Sequence, residues 1–212
     1  MHIAIACSHP CLTHDLAMIY LLSQIMEELN GLDNLRSLWL GKNKIEAITD
    51  IDSLQHLKQL DIHSNRLTTC AGLSPHLVAL EELYLASNRI ESIEGLLPLQ
   101  TATGLRTVDI SHNAISSLVG IEALAASLES LWLSSNAIPS FDALHPLKGL
   151  PKLESLYLEH CPIYKDQRAV YISHVREILP DLKQLDADML PQGPSSPARS
   201  LNTEGSPAFM IG

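Results

Sequence analysis

The stretch LEELYLASN, from Leu80 to Asn88, carries the pattern that decides the fold, Leu-x-x-Leu-x-Leu-x-x-Asn. The same pattern, with small departures, begins at six positions, which are Leu35, Leu57, Leu80, Leu105, Leu128 and Leu153. These starts are 22, 23, 25, 23 and 25 residues apart. Self-similarity at a nearly fixed period of this length indicates a chain built from stacked copies of one supersecondary unit.

Each copy of the pattern predicts one short strand. Side chains alternate between the faces of a strand, so the two leucines of Leu-x-Leu point into the core and the residue between them points outward. Between strands, apolar residues recur at every third position, a spacing that favours 3₁₀ turns, as at Ile45, Ile48, Ile51 and Leu54. The sequence therefore predicts an α/β fold, a leucine-rich-repeat solenoid with a curved parallel sheet on the concave face and 3₁₀ or short helical segments on the convex side.

The asparagine that closes the pattern is predicted to be structural. Turned inward, its amide can hydrogen-bond backbone groups that the turn leaves unpaired. Five repeats carry it, as Asn43, Asn65, Asn88, Asn113 and Asn136. In the sixth repeat the position is Cys161, which hydrogen-bonds weakly, and Pro162 follows at once. We therefore expect the array to end there.

The array and its C-terminal flank predict two segments. Residues 26–161 contain about six leucine-rich repeats. Residues 162–190 are expected to form a helical cap, because a solenoid must cover the apolar face at its end. Within this cap, apolar residues between Tyr164 and Leu179 follow helical spacing, and Pro180 ends the run.

The two ends of the chain depart from the repeat. Residues 1–25 are a divergent N-terminal segment without a recognisable strand motif, and an amphipathic helix is expected from Asp15 to Leu29. This segment either caps the solenoid or replaces missing repeats. In residues 191–212, Pro, Gly and Ser together make up 11 of 22 residues, a composition that predicts a disordered tail.

The outward residue between the two core leucines forms a row along the concave sheet. From the first repeat to the last, the row reads Trp39, Asp61, Tyr84, Asp109, Trp132 and Tyr157, with Glu82 at a neighbouring outward position. Core packing does not require aromatic residues there, and small Ser, Gly and Ala neighbours are expected to leave the rings protruding as binding anchors. The alternative is that the rings only stiffen the sheet through cross-strand pairing.

The charge of this face predicts the chemistry of a partner. None of the 18 outward positions on the six strands is Lys or Arg, and four are acidic. Six strands at about 4.8 Å spacing make a face about 24 Å across, enough for a helix of about 16 residues. We therefore expect a folded protein partner that presents basic residues.

Composition excludes several classes of function. The chain has 14 Lys and Arg against 24 Asp and Glu, a net charge of −10, which argues against direct binding to nucleic acid. No run approaches the roughly 20 apolar residues of a membrane helix, and no basic region marks a secretory signal. Four Cys in a chain of 212 residues favour a reducing compartment. These features predict a protein of the nucleus and cytoplasm with no membrane partner.

No chemistry-bearing motif accompanies the repeats. Cys7, His9, Cys11 and His14 are zinc-ligand types, but structural zinc sites usually take ligand pairs separated by a longer loop. The sequence contains no phosphate-binding glycine loop, no His-Glu-x-x-His and no nucleophile elbow. It therefore predicts a protein that is not an enzyme, with no catalytic residues, no metal site and no cofactor.

Several stretches resemble one family, the leucine-rich-repeat regulatory subunit of protein phosphatase 1. They are LRSLWLGKNKI from Leu35, HSNRL from His63, LEELYLASNRIESIEGL from Leu80, LESLYLEHCPIYKD from Leu153 and ILPDLKQLDA from Ile178. The resemblance runs from about Met26 to Leu190. It implies a concave face that grips helices of the phosphatase catalytic subunit through acidic and aromatic residues.

The resemblance also implies site residues and a function. The family's concave contacts match Trp39, Asp109, Trp132 and Tyr157 in this sequence, and Glu82 and Tyr84 lie on the same surface. Because the family carries about twice as many repeats, we expect an N-terminally shortened relative. The implied function is a non-enzymatic regulatory subunit, monomeric when free. The alternative is a leucine-rich-repeat scaffold subunit of another assembly, of spliceosomal or axonemal type.

Overall fold

The structure, a computed structural model, describes residues 16–18, 29, 32–166 and 170–191. In that part of the chain, nine short strands form one sheet in sequence order. They are β1 Leu16–Met18, β2 Ser37–Trp39, β3 Gln59–Asp61, β4 Glu82–Tyr84, β5 Thr107–Asp109, β6 Ser130–Trp132, β7 Ser155–Tyr157, β8 Gln184–Leu185 and β9 Asp188–Met189. Neighbours from β1 to β8 pair in parallel, and β9 runs antiparallel to β8. The predicted leucine-rich-repeat solenoid is confirmed.

The core is a continuous stack of equivalent apolar side chains. The central residue of each strand from β2 to β7 is fully buried, as Leu38, Leu60, Leu83, Val108, Leu131 and Leu156. The strand register makes each of them the Cα partner of its counterpart in the next repeat. Burying one such side chain contributes about 1.5–3 kcal/mol. The stack therefore fixes the register, and the register aligns the outward residues.

The inward asparagines hydrogen-bond the backbone as predicted. Asn65 Nδ2 donates to the Leu40 carbonyl at 2.9 Å, and its Oδ1 accepts from the Ile45 amide at 2.9 Å. The equivalent donation to a carbonyl of the preceding repeat is made by Asn88, Asn113 and Asn136. All five asparagines also donate to the carbonyl three residues earlier in the chain. Cys161 takes this position in the last repeat, where its Sγ lies 3.3 Å from the Leu133 carbonyl.

The residue before each of these positions has a left-handed backbone. Its φ lies between 52° and 66° at Lys42, Ser64, Ser87, His112, Ser135 and His160. Non-glycine residues seldom adopt this conformation, and it persists where the surrounding structure holds it. Here the asparagine side chain bridges the turn, so each strand ends at the same place.

The convex segments contain the 3₁₀ structure that the spacing of three predicts. Three 3₁₀ helices span Glu94–Thr101, Ile121–Leu124 and Phe141–Gly149. In an earlier repeat, the Leu54 amide donates a hydrogen bond of 3₁₀ type to the Ile51 carbonyl at 3.2 Å. The convex side is tightly packed at Gly72, whose φ is +96°. A Cβ at this position would lie 2.0 Å from the carbonyl oxygen of Ile48.

The helix expected at the N-terminal end is wrong where the structure describes it. Leu16–Met18 forms β1, and Ala17 is the Cα partner of Leu38. The strand escaped recognition because Ala17 stands where the other strands carry a larger apolar residue, so the pattern has no leucine to show it. The sheet thus has one more parallel strand upstream of the six identified repeats. The other residues of the expected helix lie outside the described part of the chain, except Leu29, which is buried.

The C-terminal flank is helical and ends in a hairpin. Two helices, α1 Pro162–Asp166 and α2 Tyr171–Ile178, follow β7. The α2 helix packs against the last 3₁₀ helix, where the rings of Phe141 and His174 stack with centroids 4.7 Å apart. The β8–β9 hairpin then closes the sheet edge. The expected tail lies outside the described residues beyond Pro191.

Candidate protein-binding face

The predicted row of outward residues is continuous on the sheet. Each member is the Cα partner of the next, in the order Trp39, Asp61, Tyr84, Asp109, Trp132 and Tyr157. Glu82 lies in the adjacent row, between Gln59 and Thr107. With parallel strands about 4.8 Å apart, these seven side chains share one concave surface.

The N-terminal half of this face is joined by a chain of hydrogen bonds. Trp39 Nε1 donates to Gln59 Oε1 at 2.9 Å, and Gln59 Nε2 donates to Glu82 Oε2 at 2.8 Å. Tyr84 donates its hydroxyl proton to the same Glu82 oxygen at 2.9 Å. We call these four residues the polar network. Its members span three strands and satisfy one another.

The polar network changes the properties of Tyr84. Burial, followed by the hydrogen bond and charge of Glu82, raises the pKa of Tyr84 to about 12. The phenol therefore stays protonated and remains a donor at neutral pH. The expectation that every aromatic ring protrudes is wrong here. Trp39 and Tyr84 are only partly exposed, because the long side chains of Gln59 and Glu82 lie beside them.

Two carboxylates of the row are each held by the residue two positions later. Asp61 Oδ1 accepts from the His63 amide at 2.9 Å and lies 2.6 Å from His63 Nδ1. Gly41 leaves room for that imidazole, since a Cβ there would lie 2.1 Å from His63 Cε1. Asp109 Oδ1 accepts from the Ser111 amide at 2.9 Å and hydroxyl at 2.6 Å. Both carboxylates are thus fixed in direction.

The C-terminal half of the face carries an aromatic pair in which Trp132 is exposed and Tyr157 is partly exposed. The rings of Trp132 and Tyr157 meet edge to face with centroids 5.4 Å apart and planes at 62°. Trp132 is 38% exposed. With Ser111 and Ser134, the two rings line a shallow pocket of about 200 Å³, which we call the aromatic pocket. Cross-strand pairing of aromatics therefore occurs here, and it leaves Trp132 accessible.

Basic residues lie at the edge of the face and are neutralised there. Ion pairs between neighbouring units join Lys58 to Glu81 at 2.5 Å, Arg106 to Glu129 at 3.8 Å and Lys183 to Glu154 at 2.5 Å. The hydrogen bond from Lys58 lowers the pKa of Glu81. Exposed pairs of this kind contribute little to stability. They do keep the basic charge off the concave surface, which leaves the surface acidic.

Three polar residues support the face without having been predicted as site residues. Gln59 links Trp39 to Glu82, and His63 pairs with Asp61. Gln184, on β8, donates from Nε2 to the Tyr157 hydroxyl at 2.6 Å. The repeat pattern could have indicated Gln59 and His63, because both occupy outward positions. Gln184 was missed because β8 belongs to the cap.

The described residues hold no group of three or more His, Cys, Asp or Glu arranged to bind a metal ion. The cluster of Cys7, His9, Cys11 and His14 lies outside those residues. Among the helices of the described part, none has the length and apolar character needed to cross a membrane.

Two leucine-rich-repeat family models match the chain. The model described as the NXF1/2/3/5 leucine-rich repeat domain matches residues 100–187. The model described as Leucine Rich repeats (2 copies) matches residues 33–75 and 55–98. The chain is a leucine-rich-repeat protein, a class made up in general of protein-binding modules, and neither model describes a catalytic family.

Two curated proteins are similar to shorter stretches. The Volume-regulated anion channel subunit LRRC8D of Rattus norvegicus is 35% identical over 75 residues, which are 34% of this chain and 9% of that protein. The Protein phosphatase 1 regulatory inhibitor subunit PPP1R7 homolog of Arabidopsis thaliana is 38% identical over 59 residues, 28% of this chain and 18% of that protein. The chain thus spans only a small part of either relative.

A solved structure shows the same architecture over more of the chain. It is a leucine-rich-repeat protein of Leptospira interrogans, with a TM-score of 0.58 and 25% identity. The match covers 72% of this chain and 37% of that one. This similarity supports the solenoid fold and does not identify a partner.

Proposed function

We propose that this protein is a non-enzymatic regulatory subunit that binds the catalytic subunit of protein phosphatase 1 through its concave face. The observation that carries the proposal is the exposed Trp132 paired with Tyr157 on an acidic surface. Tryptophan and tyrosine are enriched among binding hot spots, where the partner covers them and excludes water. The similarity to the Arabidopsis thaliana regulatory inhibitor subunit, over 59 residues, supports this choice of partner.

The partner's contact surface should be a basic, amphipathic helix. The aromatic pocket offers apolar contact for one or two side chains, and Asp61, three strands away from Trp132, provides a directed carboxylate further along the face, whereas Asp109 is only 8% exposed. Acidic surface opposite basic surface speeds association and excludes acidic competitors. The free protein is proposed to be a monomer of the nucleus and cytoplasm.

The test is size-exclusion chromatography with light scattering on the chain, alone and mixed with the phosphatase catalytic subunit. We expect a one-to-one complex that the double variant Trp132→Ala with Tyr157→Ala fails to form. The matched control is Leu97→Ala with Val119→Ala, which removes two exposed apolar side chains away from the face. If the aromatic double variant binds as well as the parent, the concave assignment is wrong.

The second candidate is a scaffold subunit of another assembly, of spliceosomal or axonemal type. The family model over residues 100–187 describes the NXF1/2/3/5 leucine-rich repeat domain, which supports a role other than phosphatase regulation without naming this type of assembly. Capture on the immobilised chain separates the two. Recovered phosphatase activity supports the regulatory subunit, whereas small nuclear RNA and its proteins without phosphatase activity support the scaffold.

A further inference from the structure

The concave face continues beyond the last repeat into the C-terminal cap. Tyr157 accepts a hydrogen bond from Gln184 of β8, and the Glu159 amide donates to Asp186 Oδ1 at 3.1 Å. Because β8 pairs with β7 in the same register, the sheet has no break at this point. A bound segment that covers the aromatic pocket therefore reaches the cap within one or two strand spacings, about 5–10 Å.

A second hollow opens at that place. It has a volume of about 180 Å³, and its lining includes Glu159, Tyr164, Tyr171, Ile172, Asp186 and Asp188. We call it the cap cavity. Three of its lining residues are carboxylates, and none is Lys, Arg or His. Its chemistry therefore differs from that of the aromatic pocket, whose lining carries no charged side chain.

The lining of the cap cavity combines two tyrosine rings with polar groups, and one of its carboxylates is held rigidly. The rings of Tyr164 and Tyr171 meet edge to face with centroids 5.3 Å apart and planes at 85°. At the base, Asp186 Oδ1 accepts from the Leu158 amide at 2.6 Å and Oδ2 accepts from the Tyr171 hydroxyl at 2.8 Å. Aromatic walls around carboxylates suit a long side chain with a methylene stem and a cationic head.

Asp186 is buried and its carboxylate is satisfied by hydrogen bonds, so the charge left for a partner lies on Glu159 and Asp188, which are more exposed. Burial raises the pKa of Asp186, and the charge of Glu159 raises it further. Asp188 is exposed at the rim. A cation entering the cavity would lower the free energy of Glu159 and Asp188 in their charged form, which gives binding a driving force that a neutral side chain lacks.

We propose that the protein-binding face extends into the cap cavity, and that this cavity takes a lysine or arginine side chain of the bound protein segment. The inference rests on the proposed function for the identity of the bound protein. It adds a second anchor point, so that an apolar side chain in the aromatic pocket is followed by a basic one at the cap. Ile172 is 44% exposed, so this part of the cap cavity is accessible to the methylene stem of the lysine or arginine.

The experiment measures dissociation constants by isothermal titration calorimetry for two probes. One is the purified phosphatase catalytic subunit. The other is a synthetic amphipathic peptide of leucine and arginine, of about 16 residues so that it spans the face. The variant is Asp188→Lys, and the matched control is Asp181→Lys, an equal charge reversal at an exposed cap residue outside the cavity. Near-ultraviolet circular dichroism confirms that both variants fold.

We expect Asp188→Lys to weaken binding by about tenfold or more, and Asp181→Lys by no more than about twofold. A peptide with glutamine in place of every arginine should lose the difference between the two variants. Equal weakening by both variants would overturn the proposal, since only the net charge would then matter. Failure of the arginine peptide to bind the parent would overturn it as well.

Two further variants separate this inference from the function on which it rests. If Trp132→Ala abolishes binding while Asp188→Lys has no effect, the face is right and the cap cavity is wrong. If the parent does not bind the phosphatase subunit at all, the proposed function fails, and the peptide titration still decides the cavity. If Arg199→Ala in the full chain strengthens binding, the chain's own tail occupies the cavity and the proposal is wrong.

Discussion

The two halves of the concave face use the same kinds of residue in opposite ways. In the N-terminal half, Trp39 and Tyr84 are tied by hydrogen bonds to long polar neighbours. In the C-terminal half, Trp132 and Tyr157 contact each other, and Trp132 is 38% exposed. The adjacent row explains the difference between the two tryptophans, because it holds Gln59 beside Trp39 but Ser130 and Ser155 beside Trp132, while Tyr157 keeps one bond from Gln184. Availability for binding is thus set by the neighbours of an aromatic residue.

The largest effect is expected from removing one tryptophan in each half. Trp132→Ala should weaken binding to the phosphatase subunit by about 100-fold, because an exposed anchor is lost, and should lower the free energy of unfolding by less than about 1 kcal/mol. Trp39→Ala should weaken binding far less and destabilise the fold more. It should lower the free energy of unfolding by about 1–2 kcal/mol, since packing and the bond to Gln59 both disappear.

Urea unfolding and calorimetric titration of the two variants test this contrast together. The double variant serves as a check, because two independent sites should give additive effects. If Trp39→Ala weakens binding as strongly as Trp132→Ala, the two halves act alike. The division of the face would then be wrong, although the face itself would stand.

The order of residues along the face was predictable from sequence, whereas their availability was not. Equivalent leucines such as Leu38 and Leu60 fix the register, so counting from them places Trp39 opposite Asp61. The strand β1 was hidden because Ala17 breaks the leucine pattern. The hydrogen bond from Trp39 to Gln59 depends on side-chain rotamers across two strands, which repeat spacing does not encode.

Deleting one hydroxyl in each half gives a smaller effect. Tyr84→Phe removes a donor to Glu82 and should lower the free energy of unfolding by about 1 kcal/mol. Tyr157→Phe should lower the free energy of unfolding by only about 0.3 kcal/mol, because Gln184 Nε2 keeps its hydrogen bond to the Asp186 carbonyl at 3.1 Å. Chemical denaturation of the two variants measures both values. Equal losses would contradict a network confined to the N-terminal half.

The raised pKa of Tyr84 makes its contribution to the free energy of unfolding depend on pH. Its pKa in the folded protein is raised to about 12, and the unfolded phenol titrates at about 10. Between those values the folded state holds a proton that the unfolded state has lost. The contribution of Tyr84 to stability should therefore be full below about pH 10 and fall as the pH rises toward 12.

The absorbance of phenolate during an alkaline titration checks this prediction. Tyr84→Phe should remove one late-titrating phenol from the parent curve and flatten the loss of stability over the same interval. Glu82→Gln is the control, because it keeps the phenol of Tyr84 and removes a charge that helps to raise its pKa. A late transition that persists unchanged in Tyr84→Phe would contradict the assignment.

The smallest effect is expected from Gly41→Ala, which should make the N-terminal half more like the C-terminal half. The new Cβ would lie 2.1 Å from the His63 imidazole and must displace it from Asp61. The pair is partly exposed, and an imidazole is free to rotate, so the free energy of unfolding should change by no more than about 0.5 kcal/mol. Freed from His63, the Asp61 carboxylate should strengthen binding of the arginine peptide by about twofold at low salt. His63→Ala should give the same gain, because both changes act on one carboxylate, whereas a gain from Gly41→Ala alone would point to a change in the backbone.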